Sequence, residues 1–357
     1  MKKLRVGHVG GRSVYPRLFN AHPRTETVAV CDINPAALEN MRATLGLSKS
    51  QCFLDYDEFL RKADLDVVVI ATPIPFHAEQ AIKAMENGVH VLSEVTAANR
   101  IEDCERLVRT VKKTGVKYML AENMCYFHFI REWTKIVHEG RLGRIYYAEG
   151  EYIHQVRDLI RDPVTGELKW RAYRPPIHYI SHSLGPLLMM LDDRVVKATG
   201  AGKGRYTMPD LETVGAIDMQ VALFKTEKGA TIKILRSQVV AREPPFHYFV
   251  LYGSKGCIEN TGFRLGEEWG VMYVEDEDEA VRRIECPISN PKAPEEVKKL
   301  GHGTSEYYLV RDFVEAIVND KKPPIDVIKG VDMTIPGIIA HEAAMKGEVW
   351  LNVPHFE

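Results

Sequence analysis

The sequence predicts two domains: an α/β domain with a doubly wound parallel sheet, then an α+β domain on an open, mostly antiparallel sheet. Three observations carry this. The first third of the chain alternates short apolar strand runs with helical stretches, and a glycine pair follows the first of those runs. After residue 123, strand-like segments dominate. At 357 residues the chain suits two domains and buries a core large enough to need no disulfide or metal staple.

Residues 4–9 (LRVGHV) form the first strand run and enter Gly10-Gly11. Residues 27–31 (TVAVC) end at Asp32, and Asn34-Pro35 opens a helix. Residues 64–71 (DLDVVVIA) are continuously apolar after their acidic start, as in a strand buried on both faces. They lead through Thr72-Pro73 into a helix over 77–87 that Gly88 closes. A strand over 89–93 ends at Glu94, a helix over 101–114 stops at Gly115, and a strand over 116–121 leads to Glu122-Asn123. Strands alternating with helices imply a parallel sheet of Rossmann type over residues 1–122.

In such sheets ligands lie at the carboxyl ends of the strands. Here those ends carry Gly10-Gly11, Asp32, Thr72-Pro73, Glu94 and Glu122-Asn123. Glycines after the first strand let backbone N–H groups approach a pyrophosphate. Asp32 stands 22 residues past Gly10, near the spacing of the acid that binds an adenosine ribose. A carboxylate there repels a 2′-phosphate, so NAD is favoured over NADP. The strict fingerprint is incomplete, with Gly10, Arg12 and Tyr15 where three glycines are usual. The Arg12 guanidinium suits a phosphate.

Residues 123–357 form the predicted second domain. A helix over 128–139 precedes Gly140, and strands follow over 144–154, 195–201, 214–225, 230–239 and 246–252, with Gly229 turning a hairpin. Helices over 305–319 and near 331–346 are expected to pack back on the sheet or the first domain. Between 152 and 186 lie Tyr152, His154, Arg157, Trp170, Arg171, Tyr173, Arg174, His178, Tyr179 and His182. Tyr179 and His182 are three apart and share a face if helical. Such a pair can pass protons beside a nicotinamide, because histidine titrates near neutrality. A lone buried histidine is more often structural; its company here argues for function.

The composition is 45% hydrophobic and 27% charged with a net charge of −2, against a nucleic-acid or anionic-membrane partner. The six cysteines are scattered, so no disulfide framework and no metal site is expected. No signal-peptide-like or membrane-spanning run appears, and a cytoplasmic location is expected.

Residues 70–96 (IATPIPFHAEQAIKAMENGVHVLSEVT) resemble the Gfo/Idh/MocA oxidoreductases, which pair a Rossmann domain with an open antiparallel sheet. Their Glu-Lys-Pro signature is replaced by Glu94-Val95-Thr96, which removes the lysine that assists proton transfer in the family's dehydrogenases. EVTAA at 94–98, AENMCYFHF at 121–129, EGEYIHQVRDL at 149–159 and YISHSLGPL at 179–187 are similar to the NAD-dependent α-N-acetylgalactosaminidases of glycoside hydrolase family 109. The resemblance implies Gly11 and Arg12 at the pyrophosphate, next to Gly10 of the glycine turn, and Asp32 at the adenosine ribose. It implies the 74–77 turn, with Ile74 and His77, along the cofactor, next to Thr72 and Pro73 at the strand end, and Glu94, Val95 and Asn123 at its nicotinamide half. Tyr152 and Arg171 would meet the sugar, with Tyr179 and His182 between sugar and nicotinamide. This chain is shorter than that branch between Tyr152 and Tyr179. The resemblance also implies a homo-oligomer, dimer or tetramer, formed through the sheet.

The chemistry so implied is glycoside hydrolysis through transient oxidation at sugar carbon 3, elimination, water addition and re-reduction. It requires no pair of carboxylates at glycosidase spacing, and none stands out in 150–185. His182 is the first candidate for acid/base work, Tyr179 its partner, and Tyr152 the second choice. The competing readings are a net NAD-dependent sugar or cyclitol dehydrogenase and a non-catalytic NAD- or sugar-binding protein.

Overall fold

The computed structural model describes residues 2–11, 13–241, 247–261 and 267–357. It divides the chain into two compact units, Met1–Tyr126 with Lys292–Val331 and Phe356–Glu357, and Phe127–Pro291 with Asp332–His355. The expected single block over 123–357 is thus interrupted, because residues 292–331 return to the first unit.

In chain order the first unit begins with β1 (Leu4–Val9), α1 (Tyr15–Ala21), β2 (Thr25–Cys31), α2 (Pro35–Leu45), β3 (Cys52–Phe53), α3 (Tyr56–Lys62), β4 (Val67–Ile70), α4 (His77–Glu86), β5 (His90–Ser93), α5 (Ile101–Thr114) and β6 (Tyr118–Leu120). The sheet order is β3-β2-β1-β4-β5-β6, all parallel, with the reversal of order between β1 and β4. β4 (VVVI) has zero exposure at all four residues. Each such side chain stabilises the fold by roughly 1.5–3 kcal/mol. α2 starts where the Asn34 side chain accepts the Ala36 N–H at 2.9 Å, and α5 ends at Gly115 in the left-handed conformation.

The second unit opens with α6 (His128–His138), β7 (Ile145–Ile153), α7 (Ser181–Leu191), β8 (Val195–Ala201), β9 (Gln220–Thr226), β10 (Thr231–Ser237), β11 (Tyr248–Gly253), β12 (Gly256–Asn260), β13 (Trp269–Val274) and β14 (Arg282–Glu285). The chain then adds α8 (Glu295–Lys298), α9 (Ser305–Val318) and α10 (Val327–Asp332), and closes with α11 (Ile335–Met345) and β15 (Leu351–Asn352). The nine-stranded sheet runs β14-β13-β12-β11-β7-β10-β9-β8-β15. Its pairs are antiparallel except β7–β10, which is parallel.

Several expectations change. The strand expected over 214–225 is a 3-10 turn at Val214–Ala216 followed by β9. The last expected strand is Tyr248–Gly253, and its residue 246 lies outside the described residues. The expected helix near 331–346 is two helices, α10 and α11. α11 packs on β8 within its own unit, and α9 packs on α1 and on the 3-10 turn Asn123–Tyr126. Among the described residues no helix is long and apolar enough to cross a membrane.

Candidate active site

In the first unit the strand ends bring Gly10-Gly11 and Asp32 together. Gly10 has φ +98, and a Cβ there would stand 2.4 Å from the Ala71 carbonyl oxygen, so only glycine lets this turn lie against the end of β4. The Gly11 N–H donates to Asp32 Oδ2 at 2.6 Å, and the Asn34 N–H donates to Oδ1 at 2.8 Å. Two backbone donors therefore aim a carboxylate at the turn, and each oxygen keeps a further lone pair for a ribose hydroxyl. This bare glycine turn beside an oriented carboxylate fits a dinucleotide. Arg12 lies outside the described residues.

Thr72 Oγ1 donates to Gln80 Oε1 at 2.6 Å, Pro73 is exposed and Ile74 is buried. His77 is 1% exposed; its Nε2 lies 2.7 Å from the Thr72 carbonyl oxygen and its Nδ1 3.0 Å from that of Thr96. Its ring ties the ends of β4 and β5 together. Glu94 is half-buried and Val95 buried. Asn123 is buried, and its Nδ2 donates to Glu306 Oε1 at 2.9 Å.

The second unit gathers the aromatic groups on one face of its sheet. Tyr152 is 7% exposed on β7. Its ring makes an edge contact with His182 (centroids 5.1 Å, 79°), stands 6.2 Å from Tyr179, and stacks on His247 (4.9 Å, 8°) and His154 (5.6 Å). Tyr179 meets His182 edge-on at 4.9 Å. The two do not share a helix face. Tyr179 follows a 3-10 turn, Pro176–His178, in a non-helical conformation, and α7 begins only at Ser181. The step from that turn into α7, not a shared helix, makes the pair. A close approach of α7 to β7 contributes, since a Cβ on Gly150 would stand 3.0 Å from the Ser183 carbonyl oxygen.

Two arginines complete the cluster. The parallel β7–β10 register sets Arg236 beside Tyr152. Its guanidinium lies 4.4 Å from the Tyr152 ring centroid and 5.5 Å from that of Tyr179, and it donates to the carbonyls of Tyr152 (3.0 Å) and Ser237. Arg174 lies 5.7 Å from the Tyr179 ring and donates to the His178 carbonyl at 2.7 Å. Burial lowers both, Arg174 to about 9 and Arg236 to about 10, with Arg171 adding repulsion. Arg171 itself stacks over Trp170 at 4.2 Å. Arg236 and His247 escaped the sequence reading. No motif surrounds them, and the signal lies in a strand register that pairs residues 84 positions apart.

Comparison with known proteins adds to this geometry. Residues 4–122 match the family model described as the oxidoreductase family, NAD-binding Rossmann fold (GFO_IDH_MocA). Over those residues the chain is similar to the Gfo/Idh/MocA oxidoreductases. Residues 4–122 therefore form an NAD-binding Rossmann domain. It is similar to a glycosyl hydrolase family 109 protein of Shewanella pealeana, 25% identical over 397 aligned residues, covering 100% of this chain and 86% of the relative. The α-N-acetylgalactosaminidase of Shewanella oneidensis is likewise 25% identical, with coverage of 100% and 85%. Among solved structures, levoglucosan dehydrogenase in complex with NADH and L-sorbose shares the fold, with a TM-score of 0.85, 20% identity and full coverage of both chains.

Proposed function

We propose that this protein is a Gfo/Idh/MocA-type enzyme that hydrolyses a glycoside through transient oxidation of the sugar at carbon 3. The observation that carries the reading is the packed Tyr152–Tyr179–His182 cluster under two buried guanidiniums, in a chain with Val95 in place of the family's lysine. The names of the glycosidase relatives agree with it.

Bound NAD would supply a hydride acceptor that returns its hydride within one turnover. The Gly10-Gly11 turn and Asp32 would hold its adenosine half, with Thr72, Pro73, Ile74, Glu94, Val95 and Asn123 along the remainder. Oxidation at carbon 3 acidifies the carbon 2 proton. His182 takes that proton as the glycosidic group leaves, exchanges it with solvent, and delivers a solvent-derived proton to carbon 2 when water adds across the double bond. Tyr179, in edge contact with His182, exchanges the proton of the carbon 3 hydroxyl, with Tyr152 as the alternative. Negative charge developing on either phenol oxygen is stabilised by Arg236 and Arg174 at the ring faces. Arg171 contacts the sugar. Buried rings keep water from the acidified carbon until the leaving group has gone.

A second reading is net dehydrogenation. One observation favours it, the close fold match to a protein named levoglucosan dehydrogenase. NADH separates the two. With a panel of nitrophenyl glycosides, the hydrolytic reading predicts nitrophenol release with no accumulation of NADH at 340 nm and no need for added NAD. NADH formed in step with substrate consumption would replace it with the dehydrogenase reading.

The proposal includes self-association through the outward face of the nine-stranded sheet. That face leaves Leu223 37% and Tyr252 40% exposed on neighbouring parts of the same surface.

A further inference from the structure

A second proton-handling cluster lies in the first unit, apart from the aromatic one. Glu306, in the first turn of α9, is 3% exposed. Its Oε2 accepts the Ser305 hydroxyl at 2.7 Å and the His302 backbone N–H at 3.0 Å. Its Oε1 accepts Asn123 Nδ2 at 2.9 Å and His302 Nδ1 at 2.6 Å. Four donors converge on one buried carboxylate. Burial alone would raise its proton affinity, but the bonds from His302 and Ser305 bring it below the usual carboxylate range, so it stays ionised.

This geometry fixes the neighbours. His302 Nδ1 stands 2.6 Å from Oε1 and 3.0 Å from Asn123 Nδ2; the shorter contact to an ionised oxygen assigns the proton to Nδ1, so Nε2 is the nitrogen that titrates. The His302 side chain is 58% exposed, whereas that of Glu306 is 4% exposed. A buried carboxylate thus presents a largely exposed imidazole. Hydrogen bonding to Glu306 raises the imidazole's proton affinity above its ordinary value, with burial opposing and the charges of Glu306, Glu94 and Glu122 assisting.

Its place in the sheet gives the dyad a role. A dinucleotide crosses the reversal of strand order, here between β1 and β4. Asp32, after β2, belongs to the adenosine side. Glu94 after β5, and Glu122 with Asn123 after β6, belong to the other side, where the nicotinamide goes. We propose that His302, oriented by Glu306, is a titrating charge on the nicotinamide side that sets the relative affinity for NAD+ and NADH. The inference rests on the NAD site described above. The oxidised ring is cationic and the reduced ring neutral, so imidazolium disfavours NAD+ and neutral imidazole does not. Other charged and titratable groups also face the cluster. They are Glu94, Glu122, Lys329, Tyr15, Tyr126 and Cys125; burial first, with Glu306, Glu94 and Glu122, raises Tyr15 well above its ordinary value, and burial likewise raises Cys125.

The test is nucleotide binding, not turnover. Dissociation constants of NAD+ and NADH are measured by calorimetry or fluorescence from pH 6 to 9. The ratio of the NAD+ to the NADH constant should fall about tenfold across that range in the wild type. It should be flat in His302→Gln, near the wild-type value at pH 9. Glu306→Gln should shift the midpoint to lower pH; thermal unfolding of each variant confirms that it folds. A wild-type ratio that ignores pH, or a His302→Gln profile with the wild-type slope, overturns the inference while the NAD site stands. No binding of either nucleotide overturns both.

Discussion

The two units build their candidate sites in opposite ways. In the first, a regular βα repeat delivers the candidate site residues to one edge of the sheet, each just beyond its strand: Gly10 after β1, Asp32 after β2, Glu94 after β5. In the second, Tyr152 comes from β7, Arg236 from β10, His247 from the approach to β11, and Tyr179 and His182 from a turn and the helix after it. The first arrangement is positioned by backbone hydrogen bonds, as when the Gly11 and Asn34 N–H groups hold Asp32. The second is positioned by ring packing and by cations over rings. A backbone-held site tolerates side-chain change around it; a ring-packed site does not.

This contrast can be broken from either side. The largest effect is expected at His182. Replacing it with alanine should reduce turnover by about 10³-fold or more, as for a lost general acid/base, while NAD affinity stays within about twofold. Equal loss of NAD binding would show that the two functions are not separable. Asp32→Ala is the converse experiment. It should weaken NAD binding by about 10- to 100-fold, the range for a hydrogen bond to a charged group. Near-ultraviolet circular dichroism of the aromatic cluster should not change.

The smallest effect concerns the folding of the first unit. His8 is 2% exposed, with Nε2 3.1 Å from Thr27 Oγ1, and burial lowers its pKa to about 3. A histidine depressed in the folded state binds its proton preferentially when unfolded, so stability falls as pH drops below about 6.5 and continues to fall toward pH 3. His8→Asn should flatten the slope of unfolding free energy between pH 6.5 and 4, measured by urea titration. An unchanged slope would assign the acid sensitivity elsewhere, for example to the buried His178, whose burial also lowers it.

How much could be read from the chain follows the same division. The parallel sheet, its strand ends and the Gly10–Asp32 relation are local in sequence, because each strand signals its own end and the spacing to Asp32 is regular. Tyr152, Tyr179 and His182 were legible as a crowd of polar aromatics, and they do converge. Their geometry was not, since a 3-10 turn and a non-helical Tyr179 replace the shared helix face. Arg236 depends on one parallel pair in an otherwise antiparallel sheet, which no local pattern announces. Glu306 reaches Asn123 across 183 positions, a contact made only when residues 292–331 rejoin the first unit. β12, β13 and β14 were missed because they extend the sheet beyond the segments with clear alternation.

Oxidation within hydrolysis makes one demand that neither simple hydrolysis nor simple oxidation shares: the carbon 2 proton must leave and be replaced from solvent. The direct measurement is hydrolysis of a nitrophenyl glycoside in D₂O, with the released sugar analysed by proton NMR. The account predicts deuterium at carbon 2 in every product molecule and none at carbon 3, where the hydride is returned. Product that keeps its carbon 2 hydrogen would contradict it.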